Sequence, residues 1–301
     1  MNEAVQYIHQ EYNEKRYSRF HIDGYIREFI ANSADMQDKI EQGIALLQDW
    51  MNKEYYPSKN ARIAQLQHMN LRELVTDVYV GVAYFLREEL FTSVTAQMAG
   101  RLGFDDKLDA IKTVAEIMAV LCQTDAFDIS KATRMSSLVV VSNIPLDSQL
   151  VDFIENSQYL PPMVCEPKEL VNNYTSGYLT HNDSLILGQG NHHDGDICLD
   201  VLNTINKVKL SLSLDFLCSV EEEPTFDLDT EDKKAQWNQF KTQSYRFYDL
   251  IQSQGNEFYL LNKVDKRGRI YAVGYHITTQ GTAFKKASIE FAEEEYLTGV
   301  P

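Results

Sequence analysis

Phe258-Tyr-Leu-Leu-Asn-Lys-Val-Asp265-Lys-Arg267-Gly268-Arg269-Ile-Tyr271-Ala-Val273 decides the architecture. A strand-like run meets Asp-x-x-Gly-Arg, and a second strand-like run follows at once. A glycine-bearing polar break between two such runs reads as an antiparallel hairpin. Most of the chain before it carries helical periodicity, so the fold class is α+β, mostly helical at its N-terminal end with a hairpin near its C-terminal end. Two guanidiniums flank the glycine at the mouth of the hairpin. Glycine lets a backbone come close to a ligand, and arginine's planar fork suits phosphate oxygens. Taken alone, a basic glycine-containing turn is more commonly a solvated hairpin tip.

The residues around the turn strengthen the signal. From Lys263 to Lys286 there are six basic residues (Lys263, Lys266, Arg267, Arg269, Lys285, Lys286) and one acid, Asp265. That local excess stands in a 301-residue chain of formal charge -16. Such a balance argues against nonspecific nucleic-acid binding by the whole surface but leaves room for one local site. The apolar fraction of 44% and charged fraction of 24% are those of a globular protein. Cys122, Cys165, Cys198 and Cys218 form no C-x-x-C pair, so they read as ordinary thiols in a reducing compartment. The first residues lack the basic and apolar regions of a signal peptide. No apolar run reaches the ~18 residues needed to span a bilayer. No membrane partner is therefore expected, and a cytoplasmic location is the default.

Working back toward the N-terminus, the first 130 residues read as helical. Met36, Ile40, Ile44, Leu47 and Met51 recur at helical spacing after an Asn32-Ser33 cap. Leu71, Leu74, Val75, Val78, Val82, Phe85 and Leu86 form a second stripe behind Asn70, and Leu108, Ile111, Val114, Ile117, Met118 and Leu121 a third. All three stripes read as core. Ser137–Ser142 is short and β-branched, a strand. Leu146–Ile154 reads as a short helix, and Tyr159-Leu-Pro161-Pro162-Met163 as extended chain. Residues 165–198 form a hairpin-and-loop region, about 198–218 a helix, and Glu221-Glu-Glu-Pro224 a linker. A long helix over 232–253 carries Trp237, Phe240, Phe247, Tyr248 and Ile251 on one stripe. Its opposite face, with Lys233, Lys234, Lys241 and Arg246, could lean on a nucleic-acid backbone.

Other constellations point to no chemistry of their own. Gln189-Gly-Asn-His192-His193-Asp194-Gly-Asp196 concentrates imidazoles and carboxylates, but adjacent histidines diverge and no second ligand pair follows at zinc-site spacing. It reads as a surface loop, with a metal-dependent enzyme as the outlying alternative. No G-x-S-x-G elbow, cysteine-nucleophile signature or Walker-type run is present, and Gly188-x-Gly190 lacks a following helix. Glu221–Glu223 and Glu293–Glu295 read as solvated acids. No aspartate pair is placed on strands for two-metal phosphoryl transfer.

The passage 232–297 resembles the thumb-to-palm region of phage-type single-subunit RNA polymerases, the group that includes the mitochondrial RNA polymerases. In that family a long thumb helix, a strand, an Asp-x-x-Gly-Arg-x-Tyr motif and a Gln-Gly step follow in order. Here the 232–253 helix, Phe258–Leu261, Asp265–Tyr271 and Gln280-Gly281 stand in that order. Upstream, Leu160–Val164 looks like the family's Pro-Met segment, and Val201–Leu217, with Asn203-Thr204 and Lys209, like its following helix. The resemblance covers about residues 134–297; residues 1–130 resemble nothing identified.

The resemblance implies a division into an N-terminal domain over 1–200, thumb-like helices over 201–257 and the first hairpin of a palm over 258–301. It implies that Arg269 and Arg267 hold backbone phosphates of template DNA and an RNA–DNA hybrid. Gly268 would permit close approach, Asp265 would orient an arginine or a backbone N–H, and Tyr271 would pack beneath. Lys263, Lys266, Gln280, Lys209 and Lys241 complete the candidate nucleic-acid-binding set. Two departures stand out. Thr282-Ala283 replaces the family's Asn-Asp, and Lys266 takes the place of an aromatic residue.

The chain stops before the segments where the family keeps its metal-binding aspartates and its nucleotide-binding lysine, tyrosine and arginine. It therefore looks like the small, N-terminal subunit of a split heterodimeric polymerase of enquatro-type podophages. A larger partner would carry fingers and catalytic palm and bind the Mg2+, none being held here. A single-stranded-DNA-binding accessory protein is a further expected partner, and the compartment is the cytoplasm of an infected bacterium. On that view no catalytic residue lies in this chain, which is inactive alone. Ser137–Ser142 could be a remnant of the family's strand-separating hairpin. Apolar strand faces near 258–275 would need covering by the partner, leaving the lone chain aggregation-prone or its C-terminal third mobile. The alternative is a noncatalytic nucleic-acid-binding or transcription-regulating protein related to a polymerase fragment.

Overall fold

The structure, a computed structural model, describes residues 2–132, 137–157, 159–188, 191–293 and 299. In chain order its elements are α1 (Glu3–Tyr17), α2 (Arg19–Asn32), α3 (Ala34–Met51), α4 (Pro57–Leu66), α5 (Leu71–Ala83), β1 (Glu89–Leu90), α6 (Phe91–Met98), α7 (Lys107–Leu121), β2 (Phe127–Lys131), β3 (Leu138–Ser142), α8 (Ser148–Asn156), α9 (Leu199–Asn206), β4 (Leu210–Leu212), α10 (Leu214–Ser219), α11 (Glu231–Ser253), β5 (Asn262–Val264), β6 (Ile270–Ala272), α12 (Ala283–Ala287) and β7 (Ile289–Phe291). Helices and small antiparallel sheets together make an α+β protein. They fall into two compact units, residues 1–18 with 157–301, and residues 19–156. Neither junction coincides with the boundary expected after residue 200.

In the unit 19–156 the three apolar stripes become α3, α5 and α7. Each starts where a side chain satisfies free backbone donors. The Ser33 hydroxyl accepts from Met36 N at 3.4 Å, Asn70 Oδ1 from Arg72 N at 3.0 Å, and Asp106 Oδ1 from Asp109 N at 2.8 Å. Met36, Ile40, Leu47, Leu74, Val75, Val78, Val82, Val114, Ile117, Met118 and Leu121 enter one core. Full burial of such side chains contributes roughly 1.5–3 kcal/mol each. Gly43 makes the close helix approach possible, since a Cβ there would meet Leu121 at 2.9 Å and Val75 at 3.1 Å. Leu108 and Leu86 stay exposed: Leu108 sits in the first turn of α7, and Leu86 lies beyond the end of α5.

The first 130 residues are mostly helical, as expected, but they also hold two strands that were not expected, β1 and β2. Both pair antiparallel with β3, in the order β1-β3-β2, with Ile129 opposite Val140. β3 is the expected strand, and its Val139 and Val140 are buried. Thr133–Ser136, between β2 and β3, lie outside the described residues.

The other unit is built around α11 and the 258–264 strand. Thr230 caps α11, and Ser244, Phe247, Tyr248 and Ile251 form its buried stripe, while Trp237 and Phe240 are only half-buried. The helix expected over 198–218 is broken into α9, β4 and α10. Val208-Lys-Leu210-Ser-Leu212-Ser-Leu214 alternates apolar and polar residues, the period of a strand. Leu210 exchanges two 2.8 Å backbone bonds with Phe258, and β4 pairs with β7 on its other side. Met163 exchanges backbone bonds with Tyr259 at 3.0 and 2.7 Å, so the Pro-Met segment flanks the strand on the far edge.

Phe258, Tyr259, Leu260, Leu261 and Val264 are consequently all buried. Of the faces near 258–275 expected to need a partner's cover, residues 258–261 and Val264 are covered within this chain, while residues 270–273 are only half-buried. The cover comes from Val164, Leu210, Leu212, Phe247 and Ile251 on one side and Met163, Cys165 and Tyr178 on the other.

Candidate nucleic-acid interface

The turn is held by one carboxylate. β5 and β6 pair antiparallel, with Lys263 opposite Tyr271 and Val264 opposite Ile270. Asp265 N donates to Arg269 O at 2.9 Å and Gly268 N to Asp265 O at 2.9 Å. That closes a three-residue loop, Lys266-Arg267-Gly268, with its third residue left-handed (φ 81°). A Cβ on Gly268 would meet nothing within 4 Å, so glycine is required here by conformation and not by space. Asp265 Oδ1 accepts from the backbone N–H of Arg267 (2.8 Å) and Arg269 (3.0 Å). Its Oδ2 accepts from both guanidiniums, Nε at 3.2 and 3.0 Å and Nη2 at 3.1 and 2.9 Å. The backbone N–H of Arg269, then its guanidinium, hold the Asp265 carboxyl below its ordinary pKa.

The result is a rigid, cationic knuckle. Asp265 is 16% exposed, whereas Arg267 and Arg269 are 72% and 52% exposed. A guanidinium carries five N–H donors, so donors remain on both after Asp265 is served. The Arg269 guanidinium lies 5.9 Å from the centre of the Tyr271 ring, which fixes its lean. The base of the hairpin is anchored on both edges. Val264 bonds to Leu185 and Leu187 at 2.9 and 2.8 Å. The Gln280 side chain bonds Ala272 N at 3.0 Å and Ile270 O at 3.2 Å, standing in for a strand along β6.

The remaining candidates have other partners. Lys263 pairs with Asp183. Lys209 pairs with Glu293 at 3.4 Å and Glu257 at 4.0 Å, and Lys241 with Glu221 at 3.3 Å. No hydrogen bond or ion pair among the described residues joins Lys209 or Lys241 to the turn. Lys266 is exposed at the tip. On α11, Lys233 and Lys234 likewise sit on Asp229 and Glu231. The Lys233 and Lys234 pairs are exposed and therefore weak. The basic window is smaller in space than in sequence. Lys285 turns inward, donating to Tyr275 O at 2.6 Å with its ammonium 5.0 Å from the Phe240 ring centre.

Beyond β6 in the chain lies a cluster that the sequence does not announce. His276 is sandwiched between Phe240 (5.3 Å) and Phe247 (5.0 Å), with Ser244 Oγ 2.7 Å from its Nδ1. Burial first, and the Lys285 charge second, lower the imidazole pKa to about 4. Tyr275 stacks on Tyr159 at 3.9 Å. The partners come from separate segments of the chain, and only the aromatic stripe on the long helix hinted at them.

In the His192-His193 loop, Asn173 Nδ2 donates to His193 O and Gly195 O at 2.6 and 2.7 Å, and Tyr174 bonds Asp194. Among the described residues no three His, Cys, Asp or Glu side chains converge as a metal site. No helix among them is long and apolar enough to cross a membrane.

The free N–H donors of the two exposed guanidiniums match the geometry of anionic oxygens. No protein-family model matches the chain. Over 146 residues it is 27% identical to a "Probable DNA-directed RNA polymerase" of Gelasinospora sp. (strain G114), an alignment covering 45% of this chain. The chain spans 17% of the length of that protein.

Proposed function

We propose that this chain is the N-terminal subunit of a two-chain DNA-dependent RNA polymerase. It grips template DNA and the RNA–DNA hybrid through the Asp265–Arg269 turn, and a larger chain supplies fingers, catalytic palm and Mg2+. The supporting observation is the turn itself. One buried-side carboxylate aims two exposed guanidiniums outward from an anchored hairpin, in a chain partly similar to a DNA-directed RNA polymerase. Arg267, Arg269 and Lys266 supply phosphate contacts, which position a nucleic acid without reading its sequence. Tyr271 and Gln280 hold the hairpin that carries them.

The test is RNA synthesis on a primed single-stranded template, with this chain alone, the palm-bearing chain alone, and both. Synthesis is expected only from the mixture. Synthesis by this chain alone rejects the two-chain reading. Template binding without any effect on synthesis by the partner would leave a noncatalytic nucleic-acid-binding protein.

A further inference from the structure

Among the described residues the outer edge of β7 is open. Ser213 N donates to Ser288 O at 2.9 Å and Ala292 N to Lys209 O at 3.2 Å. With Ser211 opposite Glu290, these bonds make 288, 290 and 292 the positions that face β4. The backbone N–H and C=O of Ile289 and Phe291 therefore point the other way. Among the described residues they make no backbone hydrogen bond there. Phe291 is 71% exposed, and no other exposed large apolar side chain among the described residues exceeds it.

This edge does not stand alone. Phe291 and Val208 line a groove of about 360 Å³ with Lys209, Tyr259, Glu166 and Glu293. Val201 and Ile205, one turn apart on α9, are exposed apolar residues, as is Val208 just beyond the helix end. On the opposite face of β7 from Ile289 and Phe291 stands Glu290, exposed and without an ion pair among the described residues. An unprotected edge beside apolar surface is where a protein accepts another strand.

We propose that β7 is a docking edge for an extended segment of a second protein, whose side chains alternate apolar, basic, apolar. Apolar residues would sit beside Ile289 and Phe291, and a lysine or arginine opposite Glu290. The backbone geometry demands a strand, and Glu290 sets the charge of its middle residue. A charge of -16 works against a second copy of this chain as the occupant. That the donor is the larger polymerase chain rests on the function proposed above; the edge itself does not.

The probe is a fluorescein-labelled peptide, Gly-Leu-Lys-Leu-Lys-Leu-Gly, and its Leu-Glu-Leu-Glu-Leu counterpart, read by anisotropy and by amide exchange of the full chain. The lysine peptide is expected to bind and to slow exchange of the Ile289 and Phe291 amides at least tenfold. Phe291→Pro removes an outward donor while leaving the bonds to β4 intact, and should weaken binding at least tenfold. Glu290→Lys should reverse the preference between the peptides. Phe291→Thr serves as a second edge variant should the proline variant lose structure. Protection appearing away from β7, preference unchanged in Glu290→Lys, or self-association through this edge would overturn the proposal. Binding at β7 together with failure of the larger chain to associate would sink the two-chain function and leave the edge standing.

Discussion

Asp265 is the residue on which the turn depends, and its neighbours give the sharpest tests. Arg269→Ala removes one exposed guanidinium fork and leaves the backbone bond from Arg269 N to Asp265 in place. Binding to a primed template should weaken about three- to tenfold at all sequences, and the slope of log affinity against log salt should drop by about 1. An unchanged slope would remove Arg269 from the interface. Gly268 is a different case. At φ 81° an alanine costs on the order of 1 kcal/mol, and nothing in the surroundings adds to it. Gly268→Ala should lower the unfolding free energy by that amount, and Gly268→Asn by less, because asparagine tolerates the left-handed region better. Equal losses in thermal melts would mean that the turn relaxes out of this conformation.

At the scale of elements, the aromatic face of α11 carries a pH dependence. His276 is 3% exposed and has its pKa lowered to about 4 by burial first and Lys285 second. Its folded pKa lies below its unfolded value of about 6.5, so the unfolded chain binds the extra proton between those values. The neutral ring's contribution is complete above pH 6.5 and is lost as pH falls toward 4, by roughly 3 kcal/mol at most. His276→Gln should flatten that part of the stability profile. A titration of the His276 ring near pH 6.5 by NMR would contradict the burial argument. Glu14 acts in a lower window. Burial alone would raise its pKa, but His181, Thr180, Gln10 and the Leu179 N–H overcome this and hold it at about 2, so its contribution fades between 4.5 and 2.

These elements also show what could be read from the chain. The helices α3, α5, α7 and α11, the strand β3 and the 265–269 hairpin were legible because period, caps and the Asp-x-x-Gly-Arg break are local signals. β4 was not, because Leu199–Ser219 supports two periods, and pairing with Phe258 and Phe291 selects the strand. At the site, Arg267, Gly268 and Arg269 were legible by type. That Lys263 is held by Asp183, Lys285 by a carbonyl and Gln280 by β6 was not, since those partners depend on tertiary placement.

For the whole molecule, the break in chain order is what matters. The unit containing the candidate interface is discontinuous: residues 1–18 fold with 157–301, and 19–156 form a separate compact body. The first helix joins its unit through buried polar groups. Asn13 and Gln254 exchange amide hydrogen bonds at 2.8 and 3.1 Å. Gln10 Oε1 accepts from Val164 N at 2.9 Å, and Glu14 accepts from Leu179 N and Thr180 N at 2.8 Å. Tyr17 adds a tilted ring contact with Phe247 at 5.6 Å. Removing one partner of such a bond leaves a buried group unsatisfied, at about 1–3 kcal/mol, more when charged. A protease site inserted after Ser18 should therefore cut the connection without releasing the helix, and residues 1–18 should co-elute with the remainder on gel filtration. In the Glu14→Gln variant the same cut should release the peptide at least ten times faster, because an amide N–H₂ then faces donors of the 178–181 segment. Immediate loss of the peptide from the unmodified chain would show that α1 is not an integral element of this unit.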